Sequence, residues 1–181
     1  MKKHLLISGK RNTGKTELFE RLLKECHMRI YGLSTRIALT RDDGYHEIYM
    51  QPINGNLGYN ELNYIGCCNT QKRIIHTEVF NNLGCELLKA EPDGIIAIDE
   101  IGFIEKDAHR YCSMILDHLD RDIHVLATVK SLQDSNPFLE AIYNHPEVKL
   151  ITVNPGSVEC LYKQLLPVIE SWNEEFICVK A

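Results

Sequence analysis

The chain has 181 residues, of which 44% are hydrophobic and 25% charged, with a formal net charge of −5. That length suits a single domain over residues 1–181, able to bury roughly 70% of its unfolded surface without staples. The acidic balance argues against a protein that coats nucleic acid by neutralising phosphates. Seven cysteines occur without a CxxC pair, and the adjacent Cys67 and Cys68 are poorly placed to bridge each other. Gly9 to Lys15 is polar and charged where a secretion signal needs an apolar core. No apolar run approaches the ~18 residues needed to span a membrane. These features predict reduced thiols in a cytoplasmic protein with no membrane partner.

The first element is a short apolar strand, His4-Leu5-Leu6-Ile7. It runs into Gly9-Lys10-Arg11-Asn12-Thr13-Gly14-Lys15-Thr16, the G-x-x-x-x-G-K-T pattern of a phosphate-binding loop. Leu18, Phe19, Leu22, Leu23 and Cys26 then recur at helical spacing, with Glu17/Arg21 and Glu20/Lys24 as i,i+4 pairs on the other face. In that context Gly9 and Gly14 let the backbone turn its N–H groups toward an anion, and the helix beginning near Gly14 adds the positive end of its dipole. Lys15 is placed to reach the β- and γ-phosphates of a nucleoside triphosphate, and the Thr16 hydroxyl to hold Mg²⁺.

Ile30 to Leu33 and Arg36 to Thr40 read as strand, and Tyr45 to Met50 as its partner across an Asp42-Asp43-Gly44 turn. Residues 51–71 carry five asparagines, three glycines and two tyrosines without a sustained period. They predict a long loop, so that residues of about 41–73 form a hairpin and lid inserted in the domain. Tyr59 and Tyr64 can either stack on a base or anchor this loop. Val79, Phe80, Leu83 and Leu87 mark a helix, closed by Glu91-Pro92-Asp93-Gly94.

Ile95-Ile96-Ala97-Ile98 is a continuous apolar run, the mark of a strand covered on both faces. It delivers Asp99-Glu100 at its carboxyl end, where open α/β sheets place their ligands. An apolar strand ending in Asp is the Walker B pattern: the Asp99 carboxylate can hold Mg²⁺, and Glu100 beside it can orient and deprotonate a water. Further on, Cys112 to Leu119 predicts a helix, His124 to Val129 a strand, Phe138 to Tyr143 a helix and Val148 to Val153 the last strand. Asn154-Pro155 predicts a cap and first-turn proline for the final helix, which Pro167 should kink or interrupt. Strands alternating with helices predict an α/β fold, a mostly parallel sheet with helices on both faces.

The loop Gly9 to Thr16 and the run Asp99-Glu100-Ile101-Gly102-Phe103-Ile104-Glu105 together resemble a P-loop nucleoside-triphosphatase family known from archaea, bacteria and a human cancer-related member. The Gly32-x-x-Thr35 stretch and Ala127-Thr128-Val129 are similar to that family's pattern as well. The resemblance implies a Mg²⁺-dependent hydrolase of ATP or other nucleoside triphosphates, of the additional-strand, RecA-like type. It would place the strand of Leu126 between the loop strand and the Walker B strand, with Thr128 near the γ-phosphate as a sensing group. Three stretches depart from the family. Arg36-Ile37-Ala38-Leu39 stands where Glu-Val-Arg is common, Asn154-Pro155 where Asn-Arg is common, and Gln71-Lys72-Arg73 where a glycine-x-tyrosine precedes the helix.

The expected site is therefore Gly9, Lys10, Arg11, Asn12, Thr13, Gly14, Lys15 and Thr16 around the nucleotide, Thr16 and Asp99 on Mg²⁺, and Lys15 and Glu100 in the chemistry. Glu105 either braces the Walker B loop or supports Glu100, or is an ordinary acid at a helix start. Arg11 either reaches a phosphate or is solvated, and Arg36, Arg41 and Arg73 are candidates to reach the nucleotide. An activating protein or self-assembly would supply a missing arginine. Two further readings stand beside the hydrolase: a kinase acting on a small molecule or nucleic-acid end, with residues 51–71 closing over the acceptor, and a nucleotide-dependent binding switch.

Overall fold

A computed structural model describes residues 2–131 and 136–179. Its centre is one eight-stranded sheet in the order β5-β4-β3-β2-β6-β7-β1-β8. The strands are β1 (His4–Ser8), β2 (Arg29–Thr40), β3 (His46–Pro52), β4 (Tyr64–Cys68), β5 (Arg73–Ile75), β6 (Gly94–Ile101), β7 (His124–Val129) and β8 (Val148–Thr152). Five of them, β2, β6, β7, β1 and β8, run parallel, while β3, β4 and β5 extend the β2 edge antiparallel. β7 does lie between the loop strand β1 and the Walker B strand β6.

Alternation along each strand builds two cores. Leu5, Ile7, Ile95, Ala97 and Leu126 face α1 (Lys15–Lys24) and α6 (Val158–Val179), meeting Leu18, Leu22, Leu165, Ile169 and Trp172. Leu6, Leu33, Ile96, Ile98 and Ala127 face the other way. There they pack on α2 (Thr77–Val79), a π-helical stretch Phe80–Gly84, α3 (Cys85–Leu87), α4 (His109–Asp120) and α5 (Pro137–Tyr143). Asn136 caps α5 by accepting from the Phe138 and Leu139 N–H groups, with Pro137 in the first turn.

Several local expectations change. β2 is one unbroken strand, with an irregularity in its pairing near Ala38. The Asn-rich stretch is not a featureless loop, because Tyr64–Cys68 forms β4 and the rest is stitched by amides. The Gln51 side chain accepts from Leu57 N–H and donates to Gly58 O, while the buried Asn63 amide donates to Met50 O and Gly58 O. Asn154-Pro155 forms a turn through Gly156, and the helix begins after Ser157, whose carbonyl receives the Leu161 N–H. α6 runs through Pro167 for 22 residues. Burying Leu165, Val168, Ile169 and Trp172, at about 1.5–3 kcal/mol for each large side chain, outweighs the roughly 3 kcal/mol that an interior proline costs. The six described cysteines are free, and no described helix is long and apolar enough to cross a membrane.

Candidate active site

The site lies at the carboxyl ends of β1, β6 and β7. Gly14 stands at the start of α1 with φ 99°, and a Cβ there would meet Val158 Cγ2 at 2.5 Å. Gly9, at φ 150°, would direct a Cβ to 2.5 Å from Val153 O. Both positions therefore exclude side chains, and the loop closes tightly between β1 and the start of α6. Inside it, Thr13 Oγ1 donates to Lys10 O at 2.9 Å. The Lys15 ammonium curls back over the loop, 3.1 Å from Gly9 O and 3.2 Å from Lys10 O. Lys10, Arg11 and Asn12 form the exposed outer tip.

Asp99 and Glu100 are neighbours on β6, yet both point at the loop. The register explains this: Ile98 pairs with Ala127 and Ile101 with Val129, so β6 carries one more residue than β7 across this step. Such a bulge breaks the alternation that would send one of two consecutive side chains to the far face. As a result Thr16 Oγ1 donates to Asp99 at 3.2 Å, and Lys15 Nζ lies 3.4 Å from Glu100 Oε2. Thr128, fully buried, also donates its hydroxyl to Asp99 Oδ1. The Asp99 carboxylate is thus held between two hydroxyls. Oxygen donors of this kind from Thr16 and Asp99 suit a hard divalent cation that keeps several waters, as Mg²⁺ does.

Two residues of the site were not singled out from sequence. Lys130, just past β7, places Nζ 3.5 Å from Glu100 Oε1. Tyr143 of α5 donates to Lys130 O at 3.0 Å and shares a 2.7 Å hydrogen bond with Ser8 Oγ, the residue before Gly9. A period of two from Thr128 puts Lys130 on the same face of the strand, which was the available signal.

Glu105 is 1% exposed and accepts the Gly102 N–H, so it braces the turn after β6 rather than capping a surface helix. Burial pushes its carboxyl up to about 7, against the opposing pull of that hydrogen bond. Arg36 donates to Ser34 Oγ, and Ser34 pairs with Asp99 across β2 and β6. Arg41 is held by Asp43 at the hairpin tip, and Arg73 starts the edge strand β5. From Ser34 to Thr40, β2 runs about 20 Å beyond the level of Asp99 at ~3.3 Å per residue, so Arg36 is the nearest of the three along the sheet.

The Asn-rich loop runs along the antiparallel edge of the sheet. Ile53 N–H donates to Gly32 O and the Asn54 amide to Ile30 O, so the Asn-rich loop begins at the amino ends of the parallel strands, opposite the site. Tyr59 and Tyr64 both pack on Tyr49, at 4.9 and 5.2 Å between ring centres; Tyr49 pairs with Arg36, beyond the level of Asp99, so the loop folds back along the sheet and is anchored there. A cleft of about 500 Å³ flanks the phosphate loop instead, lined by Asn12, Thr13, Arg21, Pro155, Val158 and Glu159 among others. A second cavity of about 420 Å³, near Tyr64 and His76, contains none of the expected site residues.

Against known proteins, a family model described as NTPase matches residues 4–166. The chain belongs to the NTPase family. Within that family it is 32% identical, over 102 residues, to the nucleoside-triphosphatase THEP1 of Thermofilum pendens. That match spans 55% of this chain and 56% of the relative, so little more than half of the relative's length is covered. The crystal structure of THEP1 from the hyperthermophile Aquifex aeolicus superposes with a TM-score of 0.71 at 20% identity, covering 92% of this chain and 99% of that one. This second likeness establishes the NTPase fold.

Proposed function

We propose that this member of the NTPase family is a Mg²⁺-dependent nucleoside triphosphatase that cleaves the β–γ phosphate bond of ATP, GTP or related nucleotides. The observation that carries the reading is the convergence of Lys15 and Thr16 on Glu100 and Asp99, at 3.4 and 3.2 Å, across the mouth of the phosphate loop. The backbone N–H groups of Gly9 to Thr16 cradle the phosphates, and Lys15 turns from the loop carbonyls onto their β- and γ-oxygens. Thr16 and Asp99 hold Mg²⁺, which when bound neutralises charge on those oxygens. Thr128 fixes the Asp99 carboxylate for that task.

Glu100 is the general base. It accepts a proton from a water whose oxygen bonds to the γ-phosphorus as the bond to the β–γ bridging oxygen breaks. The products are a nucleoside diphosphate and inorganic phosphate, to which the proton is returned. A positioned base of this kind contributes about 10²- to 10⁴-fold. The cleft of about 500 Å³ beside Asn12 and Pro155 supports a nucleoside subsite next to the phosphate loop.

The kinase reading stays second, because Asp99 and Glu100 side by side supply a cation ligand and a base for water. Free thiols at all six described cysteines support a cytoplasmic location. The test is phosphate release from a panel of nucleotides with Mg²⁺, with and without candidate acceptors. Release in buffer alone supports the hydrolase; turnover that requires an acceptor overturns it in favour of a kinase.

A further inference from the structure

Glu100 is flanked by two ammonium groups, one on each oxygen. Lys15 lies 3.4 Å from Oε2 and Lys130 lies 3.5 Å from Oε1. The proposed function makes different demands on them. A triphosphate entering the loop draws Lys15 onto its oxygens, and at that moment brings several negative charges toward the Glu100 carboxylate. Among the described lysines and arginines, Lys130 is the remaining one within ion-pair distance of Glu100.

The setting of Lys130 is built rather than incidental. Its N–H donates to Ile101 O at 2.9 Å, directly beyond the bulge that carries Asp99 and Glu100. Its carbonyl is tied through the Tyr143 hydroxyl to Ser8, at the root of the phosphate loop. Its stem runs over Gly102, where a Cβ would come 3.2 Å from Lys130 Cδ, and its ammonium lies 5.9 Å from the centre of the Phe103 ring. Backbone and stem are therefore both positioned from the two strands that form the site. The side chain is 46% exposed. An ion pair this open adds little to stability, so its use lies in geometry and local charge.

We propose that Lys130 is a positioning residue for hydrolysis, holding Glu100 through Oε1 while Lys15 leaves Oε2 free to take the proton of the attacking water. The inference rests on Glu100 acting as the base. Lys130 also offsets the repulsion between that carboxylate and the γ-phosphate, a cation supplied in cis.

The test uses the full chain with Lys130→Ala, Lys130→Met and Lys130→Arg, each alone and the first also in a Glu100→Gln background. A misplaced catalytic group costs up to about 10²-fold. Lys130→Ala and Lys130→Met should therefore lower kcat about 10- to 100-fold while KM changes less than about threefold. Lys130→Arg should recover most of the rate, and Lys130→Ala should add no further loss once Glu100 is Gln. Lys130→Met keeps the stem on Gly102, so a folding defect in Lys130→Ala does not leave the question open. Wild-type kcat in Lys130→Met, or an equal loss in the Glu100→Gln background, overturns the inference and leaves the hydrolase reading standing. A wild-type chain that releases no phosphate from any nucleotide overturns both.

Discussion

Replacing Glu105 by glutamine should change how stability depends on pH, and the direction follows from its burial. The side chain is 1% exposed; Oε1 accepts the Gly102 N–H and Oε2 finds no partner among the described residues. Desolvation raises its carboxyl to about 7, with the nearby Glu100 adding to the rise and Lys130 opposing it. An unfolded chain titrates this group near 4.3. Between those values the folded protein holds a proton that the unfolded chain has lost, so stability falls as pH rises through the window and levels off above it. At 1.36 kcal/mol per pKa unit, the loss from pH 5 to pH 8 comes to about 2 to 3 kcal/mol.

Glu105→Gln keeps an acceptor for Gly102 and cannot ionise. Urea unfolding of both proteins at several pH values gives the comparison. The difference between them matters more than either curve, because burial lowers the His4 pKa to about 4 and gives the wild type an opposing slope below pH 6.5. Relative to wild type, Glu105→Gln should gain about 2 to 3 kcal/mol on going from pH 5 to pH 8. Parallel curves for the two proteins would refute the reasoning and show that Glu105 is ionised in the fold throughout.

Two further predictions concern the phosphates. Lys15→Ala should weaken Mg²⁺–ATP binding by about 10²-fold, on the order of the 3 kcal/mol that a charged hydrogen bond carries, with its far-UV spectrum unchanged; calorimetric titration showing wild-type affinity would remove the loop lysine from the account. The isolated chain should turn over slowly, at about 10⁻² s⁻¹ or below, because Pro155 stands where the resembled family commonly has an arginine. Self-assembly or an activating partner should raise that rate, and Arg→Ala changes at 36, 41 and 73 should identify the contributor, with Arg36 the first expected from its place two residues beyond Ser34. Fast turnover by a monomer that none of the three changes affects would exclude this.

The parts of the fold legible in sequence were those governed by local pattern. The phosphate loop needed glycines at fixed positions, and the short apolar runs of β1, β6 and β7 between turn signals read as strands, that of β6 as one buried on both faces. β4 was missed because Tyr64-Ile65-Gly66-Cys67-Cys68 offers one β-branched residue, and its pairing partner β3 is settled by long-range contacts. Pro167 does not end the helix, because the packing of α6 outweighs a local penalty. In the site, the residue types at Asp99 and Glu100 were readable. The bulge that turns both toward the loop belongs to the pairing of β6 with β7, which no stretch of either strand displays. Lys130 followed from the same register, since its contact with Glu100 depends on where β7 ends.

The central claim is that Glu100 activates the water which cleaves the nucleotide held by the loop. Phosphate release and nucleotide affinity should be measured together for wild type and Glu100→Gln, with Mg²⁺ present. The account predicts that Glu100→Gln binds nucleotide within a few-fold of wild type and hydrolyses it at least about 10²-fold more slowly. Wild-type turnover by Glu100→Gln would contradict it, because a group that cannot take a proton would then be doing the work assigned to the base.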